Sequence, residues 1–452
     1  MEVSCGVLFL VTHLVPYPPI RGVELRIYRL LKWLSAEGFR VILILSADSL
    51  DAHTLSELQK VTHGVYWTKP ALGTRVASRF PHLRRWLWEP LKQLLAVFPR
   101  WYPRDKAFRQ KTALPQRVLN TAQGCLSKSL SDNPAKRGLC SEKLISLVGR
   151  LAQQYRPQAV IAEYIYLTRV FENIPIGTLK IVDTIDVFSR KAEQVLVFGI
   201  VDPFACSEDE ERQYLLQADV ILAIQSKEVA LLKALVPERQ VLLAGMDLDV
   251  VDALPSGEEA LHSIAVVASD NALNVHGLRA FLAECWPAIK TACPDVSLHV
   301  VGRVGEMCRI DDSSIRYSGW IDDLDQVYRE ANVIINPTVA GTGLKIKSVQ
   351  ALAHGKPLVA WPNGVEGMEY EGEAPFVECR SWEEFAEAVI RLLRSDNDRG
   401  SMAARARAYA QSEFSAHKVY ASLRDRLAET VPPQRKQSIS TKERRAAIRA
   451  SE

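Results

Sequence analysis

Residues 336–367 read NPTVAGTGLKIKSVQALAHGKPLVAWPNGVEG and contain the signals for a strand, a loop, a helix and a second strand. The apolar run 333–336 ends where the stretch begins, and the small residues of 339–343 predict a loop. Residues 344–354 predict a helix that stops at Gly355, and residues 357–360 predict the next strand. Two strands joined through a helix pair in parallel with a right-handed crossover, so this stretch predicts one unit of a parallel α/β sheet.

The same alternation recurs in two series separated by an acidic, loop-like segment after residue 245. The predicted strands are 6–13, 41–47, 159–162, 180–182, 220–224 and 240–243 in the first series, and 264–268, 298–301, 316–317, 333–336 and 357–360 in the second. Two such series predict an α/β fold with two facing doubly wound, Rossmann-like domains. The predicted units are an N-terminal domain over 1–255 with an insertion at about 69–145, a C-terminal domain over 256–415, a helix over 416–431 that returns to the N-terminal domain, and a disordered tail over 432–452.

The composition is that of a globular chain. The 452 residues are 48% hydrophobic and 24% charged, which excludes a mostly disordered chain, and 23 glycines without a fixed period exclude a collagen-like repeat. A formal net charge of +3 gives no overall signal for nucleic acid. Eight cysteines without a Cys-x-x-Cys pair predict reduced thiols in a cytosolic protein. The apolar run at 6–11 is too short for a transmembrane helix and has no basic residues before it, so we expect no secretory signal.

The loop at 339–343 has the features of an anion site. Gly341 and Gly343 allow a close backbone approach to a ligand, and the following helix offers free N–H groups at its N-terminus. Lys345, expected in the first helical turn, adds a full positive charge, so a diphosphate fits better than a neutral ligand. The alternative is structural, because Gly-x-Gly before a helix is common and a lysine at that position is often only solvated.

The segment GTGLKIKSVQALAHGKPLVA resembles the donor-binding motif of retaining glycosyltransferases of the two-domain GT-B fold, the family-4 type of group 1. The opening HLVPYPPIRGVELRIYRLLKWLSAEGFRV is similar to the beginning of that family, and VDTIDVFSR, ADVILAIQSKE and NVHGLRAFLAECWPAI add weaker matches in the same order. The resemblance covers most of residues 3–415. It implies a nucleotide sugar bound between the domains and held mainly by the C-terminal one.

The resemblance also implies the residues of the site. The candidate catalytic residues are Lys345, Arg303 and Asp186, and the candidate donor-binding residues are Gly22, Asn274, Gly341, Thr342, Gly343, Leu344 and Gln350. The implied reaction is a hexosyl transfer through an oxocarbenium-like transition state, to a glycan or lipid-linked acceptor and with retention of configuration. The leaving diphosphate can itself assist the acceptor, so we expect no pair of catalytic carboxylates, no metal and no cofactor beside the nucleotide-sugar substrate.

The chain departs from the family pattern at three positions. The family often has two glutamates eight residues apart, where this sequence has Thr342 and Gln350, and the subgroup usually has histidine where Ile185 stands. A glutamine in place of a glutamate loses charge-assisted hydrogen bonding to the donor ribose, about 1–2 kcal/mol. These departures leave open a catalytically weakened or inactive relative that acts as a binding or partner protein. A nucleotide-sugar epimerase on the same fold is a third possibility, although no acid–base pair can be assigned.

Several polar residues follow strands of the N-terminal domain. Thr184 and Asp186 could bind an acceptor, or Asp183 and Asp186 could cap a helix beginning near residue 187. Glu163 and Tyr164 could also bind an acceptor, but ordinary strand-end polarity is the favoured interpretation. His13 ends the first strand and is more often structural than catalytic in such a place. Asp209 with Glu210, and Asp322 with Asp323, are interpreted as solvated helix-end charges rather than a metal site.

Residues 69–111 contain eleven lysines and arginines, two acids and seven Phe, Trp or Tyr residues. This composition suits a membrane surface, where aromatic rings favour the interface and basic residues attract anionic headgroups. It predicts a cytoplasmic protein with peripheral contact to the inner membrane face, in keeping with a lipid-linked acceptor. The alternative is an insertion packed on the N-terminal domain, and a nucleic-acid role is disfavoured because no recognised binding module accompanies the segment.

Overall fold

The computed structural model describes residues 6–70, 138–196, 198, 204–251, 262–321 and 323–430. These residues form two parallel β-sheets, one of seven strands and one of six, with helices packed on them. The predicted α/β fold with two Rossmann-like domains is thereby confirmed. Most of the predicted insertion, with most of the basic aromatic segment, and the predicted tail lie outside the described residues.

Seven strands form the N-terminal sheet: β1 (Val7–Thr12), β2 (Arg40–Ser46), β3 (Gly64–Thr68), β4 (Ala159–Glu163), β5 (Leu179–Asp183), β6 (Val220–Ala223) and β7 (Gln240–Leu243). Their order is β3-β2-β1-β4-β5-β6-β7, and every neighbouring pair is parallel. The central strands β1 and β4 are apolar except for their last residues, Thr12 and Glu163, and are buried on both faces, as parallel sheets covered by helices require.

Within the described residues, six α-helices accompany this sheet: α1 (Gly22–Ala36), α2 (Ala52–Val61), α3 (Glu142–Tyr155), α4 (Phe188–Leu196), α5 (Glu208–Leu215) and α6 (Ser226–Leu235). A 3-10 helix spans Ile165–Asn173. Helix α1 buries Ile27, Leu30, Leu31 and Leu34, the spacing expected from the sequence. Gly38 then takes φ +87°, a conformation that ends the helix and turns the chain into β2.

The C-terminal sheet contains β8 (Ser263–Val267), β9 (Ser297–Val301), β10 (Ile315–Ser318), β11 (Val333–Asn336), β12 (Leu358–Ala360) and β13 (Val377–Glu378). Its order is β10-β9-β8-β11-β12-β13, again with parallel pairs. The remaining helices are α7 (Ala272–Glu284), α8 (Trp286–Ala292), α9 (Val304–Cys308), α10 (Leu324–Glu330), α11 (Ile346–Ala353), α12 (Trp382–Arg394), α13 (Asp396–Glu413), α14 (Ala416–Val419) and α15 (Ala421–Ala428). A second 3-10 helix spans Pro362–Val365.

The last two helices pack on the N-terminal domain. Leu423 and Leu427 are buried in the same core cluster as Leu30 of α1. Between α14 and α15, the Tyr420 ring stacks on Trp33 with centroids 4.5 Å apart. The chain therefore crosses between the domains twice, once after β7 and once after α13.

The first crossing is held by two arginines of α1. Arg26 is 1% exposed, donates to both carboxylate oxygens of Asp183 at 2.9 and 3.0 Å, and also donates to the carbonyls of Ala244, at 2.7 Å, and Gly245. Arg29 pairs with Asp247 at 2.8 Å and with Asp249 at 2.6 Å. The Tyr420 hydroxyl donates to Asp247 at 2.8 Å, so both crossings meet at one polar network. We call residues 244–249 the hinge segment.

The structure differs locally from the sequence expectations. Strand β3 was not expected, because GVYWT is only partly buried at the edge of the sheet and lacks a long apolar run. The helix expected at 277–289 is two helices, 272–284 and 286–292, divided at Cys285. The helix expected from 344 begins at Ile346, which places Lys345 at the N-cap rather than in the first turn. Among the described residues, no helix combines the length and apolar character needed to cross a membrane.

Candidate donor site at the domain contact

The loop between β11 and α11 lies at the carboxyl end of the C-terminal sheet and is held by hydrogen bonds of Asn336 and by close packing against α7. The side-chain amide of Asn336 donates to the Ser348 hydroxyl at 2.8 Å and to the Gly364 carbonyl at 3.2 Å. Helix α7 packs closely against the loop at Gly277, where an added Cβ would lie 2.2 Å from the Pro337 carbonyl oxygen. Loop and helix therefore occupy one defined position in the domain.

Lys345 is turned back onto the loop. Its ammonium donates to the carbonyls of Gly341 at 3.3 Å, Thr342 at 3.0 Å and Gly343 at 2.9 Å. Both glycines have positive φ, +111° and +75°, which a residue with a side chain rarely adopts. Burial lowers the pKa of Lys345, while nearby Asp186, Glu366 and Glu228 act in the opposite direction. In this conformation Lys345 organises the loop through its carbonyls and leaves the loop N–H groups to other partners.

Those partners come from the N-terminal domain. The Gly341 N–H donates to the side-chain carbonyl of Gln194 at 3.1 Å. The Thr342 hydroxyl donates to Asp186 at 2.9 Å, and the Gly343 N–H donates to Glu228 at 2.7 Å. The predicted anion site thus faces the opposite domain, as expected, and its hydrogen-bonding groups are engaged by that domain's side chains.

Glu228 lies deep in this contact, at 1% exposure. Burial is the first cause that raises the pKa of its carboxyl group to about 8, and the charge of Asp186 is the second. Its other carboxyl oxygen, Oε2, is buried and has no hydrogen-bond partner among the described residues. The domain contact therefore contains a carboxyl group that is largely neutral at pH 7.

The glycine-rich turns of the two domains approach each other closely. A Cβ on Gly22, at the start of α1, would lie 2.8 Å from Cβ of Ile346, at the start of α11. A Cβ on Gly343 would lie 2.7 Å from an oxygen of Asp186 and 2.9 Å from the Ile185 carbonyl oxygen. Gly22 thus lies against the candidate loop, where the sequence placed it.

A second lysine joins the site and was missed by the sequence analysis. Lys347 donates to Asn274 and to the Thr338 hydroxyl, both at 2.8 Å. Burial and the neighbouring charge of Lys345 lower its pKa to about 7. The signal was present in the GLKIK segment, where the two lysines are two residues apart. Asn274, a predicted donor-binding residue, is therefore brought to the loop by α7.

For the remaining predicted donor-site residues, the contacts described here are within the C-terminal domain. Arg303 precedes α9, pairs with Asp270 at 3.0 Å and keeps 62% of its side chain exposed. Gln350 lies half-buried in α11, where its backbone carbonyl accepts a hydrogen bond from the His354 ring. Leu344 packs against the core of the C-terminal domain. No cluster of metal-ligating side chains occurs among the residues that the structure describes.

The acceptor-side candidates divide into two groups. Asp186 reaches the loop through Thr342 and pairs with Lys191 at 2.8 Å. Asp183 is instead paired with Arg26, so the expectation that it caps a helix was wrong: the buried guanidinium takes both of its oxygens. Glu163 is fully buried beside Asp183, and burial followed by that neighbouring charge raises its pKa well above the usual value.

His13 lines an open cavity in the N-terminal domain. Its ring meets that of Tyr164 with centroids 5.0 Å apart, and burial with nearby Arg21 lowers its pKa to about 4. The cavity is about 400 Å³ and is also lined by Tyr17, Arg21 and Asp51. His13 is therefore neutral at pH 7 and able to accept or donate one hydrogen bond through a ring nitrogen.

Two facing, doubly wound parallel α/β domains, with a glycine-rich loop and a helix N-terminus at their contact, have the GT-B fold. Residues 262–395 match the family model described as glycosyl transferases group 1. The family model thus supports the resemblance to glycosyl transferases group 1 in the C-terminal domain, and the GT-B fold is shared over most of the chain.

Solved structures share this fold at low sequence identity. Sucrose-phosphate synthase from Thermosynechococcus elongatus has a TM-score of 0.64 and 14% identity, covering 94% of this chain and 98% of that one. Anabaena HepE, solved with UDP and glucose, has a TM-score of 0.61 and 13% identity, covering 94% and 100%. A variant of TarM from S. aureus, solved with fondaparinux, alpha-GlcNAc-glycerol and UDP, has a TM-score of 0.60 and 9% identity, covering 93% and 99%. A search of curated protein sequences found no match.

Proposed function

We propose that the protein moves a hexose from a nucleotide-sugar donor to a glycan or lipid-linked acceptor with retention of configuration. The observation that carries the proposal is the loop at 338–347, which brings N–H groups and two lysines to the contact between the domains. UDP in the solved HepE and TarM structures supports a nucleoside diphosphate as the class of donor headgroup. No cofactor or metal is required by this chemistry.

The proposed reaction breaks the bond between the anomeric carbon and the diphosphate oxygen, and the electron pair stays on the diphosphate. The acceptor hydroxyl oxygen forms its bond to the same face of the anomeric carbon, and its proton passes to the departing diphosphate. Lys345, Lys347 and the N–H groups of Gly341 and Gly343 are the groups that would meet the growing negative charge. Interactions that strengthen as this charge develops lower the barrier.

The other candidates take supporting roles in this proposal. Asp186 positions the loop through the Thr342 hydroxyl, Arg303 supplies a further cation, and Gln350 binds the donor ribose without a charge. Closure of Gly22 against Ile346 excludes water, which would otherwise hydrolyse the donor. The cavity beside His13 provides room for the acceptor.

The test begins with thermal shifts of the full-length protein in UDP, GDP and ADP and in the corresponding nucleotide sugars. One nucleoside diphosphate should raise the melting temperature, and Lys345→Ala and Lys347→Ala should each reduce that rise. Lys290→Ala serves as the control, because Lys290 pairs with Asp312 away from the loop. The proposal fails if no nucleotide stabilises the protein and the loop variants behave like the control.

A second candidate function is a non-catalytic relative that binds a glycan or a protein partner. The specific observation in its favour is the occupied Gly343 N–H, together with Gln350 and Ile185 at positions where the family often has other residues. Hydrolysis or transfer from a nucleotide sugar that disappears in Lys345→Ala would dispose of this candidate. Gln350→Glu should increase donor affinity if position 350 faces the ribose.

We further propose a cytoplasmic location with peripheral contact to a membrane through residues 69–111. The support is compositional, since eleven basic residues and seven aromatic rings occur with two acids in this segment. Vesicles containing anionic lipid should sediment the protein and neutral vesicles should not. Equal binding to both kinds of vesicle, or to neither, would contradict the proposal.

A further inference from the structure

The first turn of α6 inserts between two loops of the C-terminal domain. We call its residues 225–228 the interdomain latch. The Ser226 hydroxyl donates to Glu369 at 2.5 Å, and Lys227 pairs with Glu366 at 3.2 Å. Gln225 is buried against Gly367, where an added Cβ would lie 2.4 Å from its side-chain oxygen. Glu228 completes the latch by accepting the Gly343 N–H.

The direction of the Glu228 side chain is unusual for its place in the helix. Gln225 is the N-cap of α6, so Glu228 holds the third helical position, from which a glutamate commonly turns back to the N-cap N–H. Here its Oε1 accepts from Gly343 of the other domain at 2.7 Å and from the Gln225 side chain at 3.3 Å. A role confined to capping α6 does not explain this arrangement.

The position that Glu228 fills is the one proposed for the donor. A carboxyl oxygen 2.7 Å from the Gly343 N–H occupies the place that a phosphate oxygen would need. The second oxygen of Glu228 has no partner among the described residues, and the whole side chain is 1% exposed. Burying a carboxyl oxygen without a hydrogen-bond partner costs free energy. A ligand that binds the Gly343 N–H more favourably can therefore displace Glu228.

We propose that Glu228 is a built-in competitor of the donor, holding the two domains together at the Gly343 N–H until a diphosphate displaces it. This inference rests on the proposed function. One N–H cannot serve both oxygens at full strength, so diphosphate binding must move Glu228 away from the loop. Donor entry and separation of the latch from the loop are then a single event.

The groups around Glu228 support exchange rather than a permanent bond. Asp186 faces it from the β5–α4 turn and Lys345 faces it from the loop, and both act on its charge. A diphosphate entering the loop would gain the attraction of Lys345 and would be repelled by Asp186. Withdrawal of the N-terminal domain removes the Asp186 carboxylate together with Glu228, because both are bonded to the same loop.

The experiment measures UDP, GDP and ADP binding by calorimetry to the full-length native protein and to variants. Glu228→Ala removes the competing oxygen and should lower the Kd of the bound nucleotide about tenfold, the upper value for one hydrogen bond. Glu228→Gln keeps an oxygen at the same place and should bind within about threefold of the native protein. Glu369→Ala is the matched control, because it removes the carboxylate that accepts from Ser226 of the latch without touching Gly343, and its Kd should stay within about twofold.

Hydrogen exchange of the Gly343 amide provides a readout that does not depend on activity. This amide should exchange slowly in the native protein and faster in Glu228→Ala, and the bound nucleotide should restore its protection in the variant. Melting temperatures without nucleotide show that each variant is folded.

The outcomes separate this inference from the proposed function. If the native protein binds a nucleotide and Glu228→Ala binds it no more tightly, the competitor role is wrong and the proposed function stands. If neither protein binds any nucleotide, the proposed function is wrong and the inference falls with it. Binding by Glu228→Ala alone would support the inference in its strongest form.

Discussion

The clearest energetic prediction concerns Arg26, whose guanidinium joins α1, β5 and the hinge segment. Arg26→Met keeps most of the apolar stem and removes the charge and four hydrogen bonds, two to Asp183 and one each to the carbonyls of Ala244 and Gly245. Asp183 would then be a buried carboxylate without its cation, at 0% exposure. Removing one partner of a buried ion pair typically costs about 3–5 kcal/mol.

Burial and the charge of Asp183 raise the pKa of the neighbouring Glu163 well above its usual value, which disfavours a second negative charge beside Asp183. For a unit of this size, about 3–5 kcal/mol corresponds to a fall in melting temperature of roughly 6–20 °C. Differential scanning calorimetry should show the N-terminal domain of Arg26→Met unfolding at a lower temperature than in the native protein. Arg26→Met combined with Asp183→Leu should recover part of the loss, because an apolar pair leaves no buried charge.

The control is Arg190→Met in the same domain. Arg190 is 43% exposed and pairs with two exposed carboxylates, Glu193 and Glu208. Such surface pairs contribute about 0–1 kcal/mol, so this variant should melt close to the native protein. The reasoning is refuted if Arg26→Met costs less than about 1 kcal/mol, or no more than Arg190→Met.

Three further predictions follow from close contacts and from one titration. Gly277→Ala forces a Cβ to within 2.2 Å of the Pro337 carbonyl oxygen and should destabilise the C-terminal domain by about 1–3 kcal/mol in urea unfolding, whereas the uncrowded Gly400→Ala should not. Gly22→Ala places a Cβ 2.8 Å from Ile346 and should lower turnover about 100-fold with UDP affinity unchanged. Equal losses of turnover and of UDP affinity would contradict a role of Gly22 in domain closure. Glu228 has its pKa raised to about 8 in the folded protein, so it contributes stability that is complete below about pH 4.5 and is lost as the pH rises through 8. The free energy of unfolding should therefore fall across this range less steeply in Glu228→Gln than in the native protein, and identical pH profiles would disprove the assignment.

The sequence predicted the fold well where apolar runs are long and buried. Strands β1, β2, β4 and β11 appear within a residue or two of their expected bounds, because each is apolar on both faces. The edge strand β3 was missed for the opposite reason, since a half-exposed strand needs no apolar run. Helix positions followed from their periodicity, and helix ends were less accurate.

The structure brings Gly341, Thr342, Gly343 and Lys345 together in one loop that faces the N-terminal domain, while their predicted roles in donor binding stay predictions. The sequence could not show that Lys345 bonds to three loop carbonyls, because this depends on the positive φ angles of Gly341 and Gly343. Nor could it show the Glu228 contact, which joins residues 115 positions apart and exists only for one arrangement of the two domains.

The contacts at the hinge segment and the contacts at the loop differ in strength. This difference determines where the two domains should move apart during the proposed reaction. At the hinge segment, Arg26 donates to the carbonyls of Ala244 and Gly245, and Arg29 pairs with the buried Asp247 and the exposed Asp249. Hydrogen bonds with a charged partner are roughly twice as strong as neutral ones. At the loop, the contacts are single hydrogen bonds from Gly341, Thr342 and Gly343, each contributing about 0.5–1.5 kcal/mol. A bound nucleoside diphosphate can replace these with charge-assisted bonds to the same groups. The domains should therefore separate at the loop while the hinge segment stays intact, so that opening for the donor and closing for the transfer are rotations about residues 244–249.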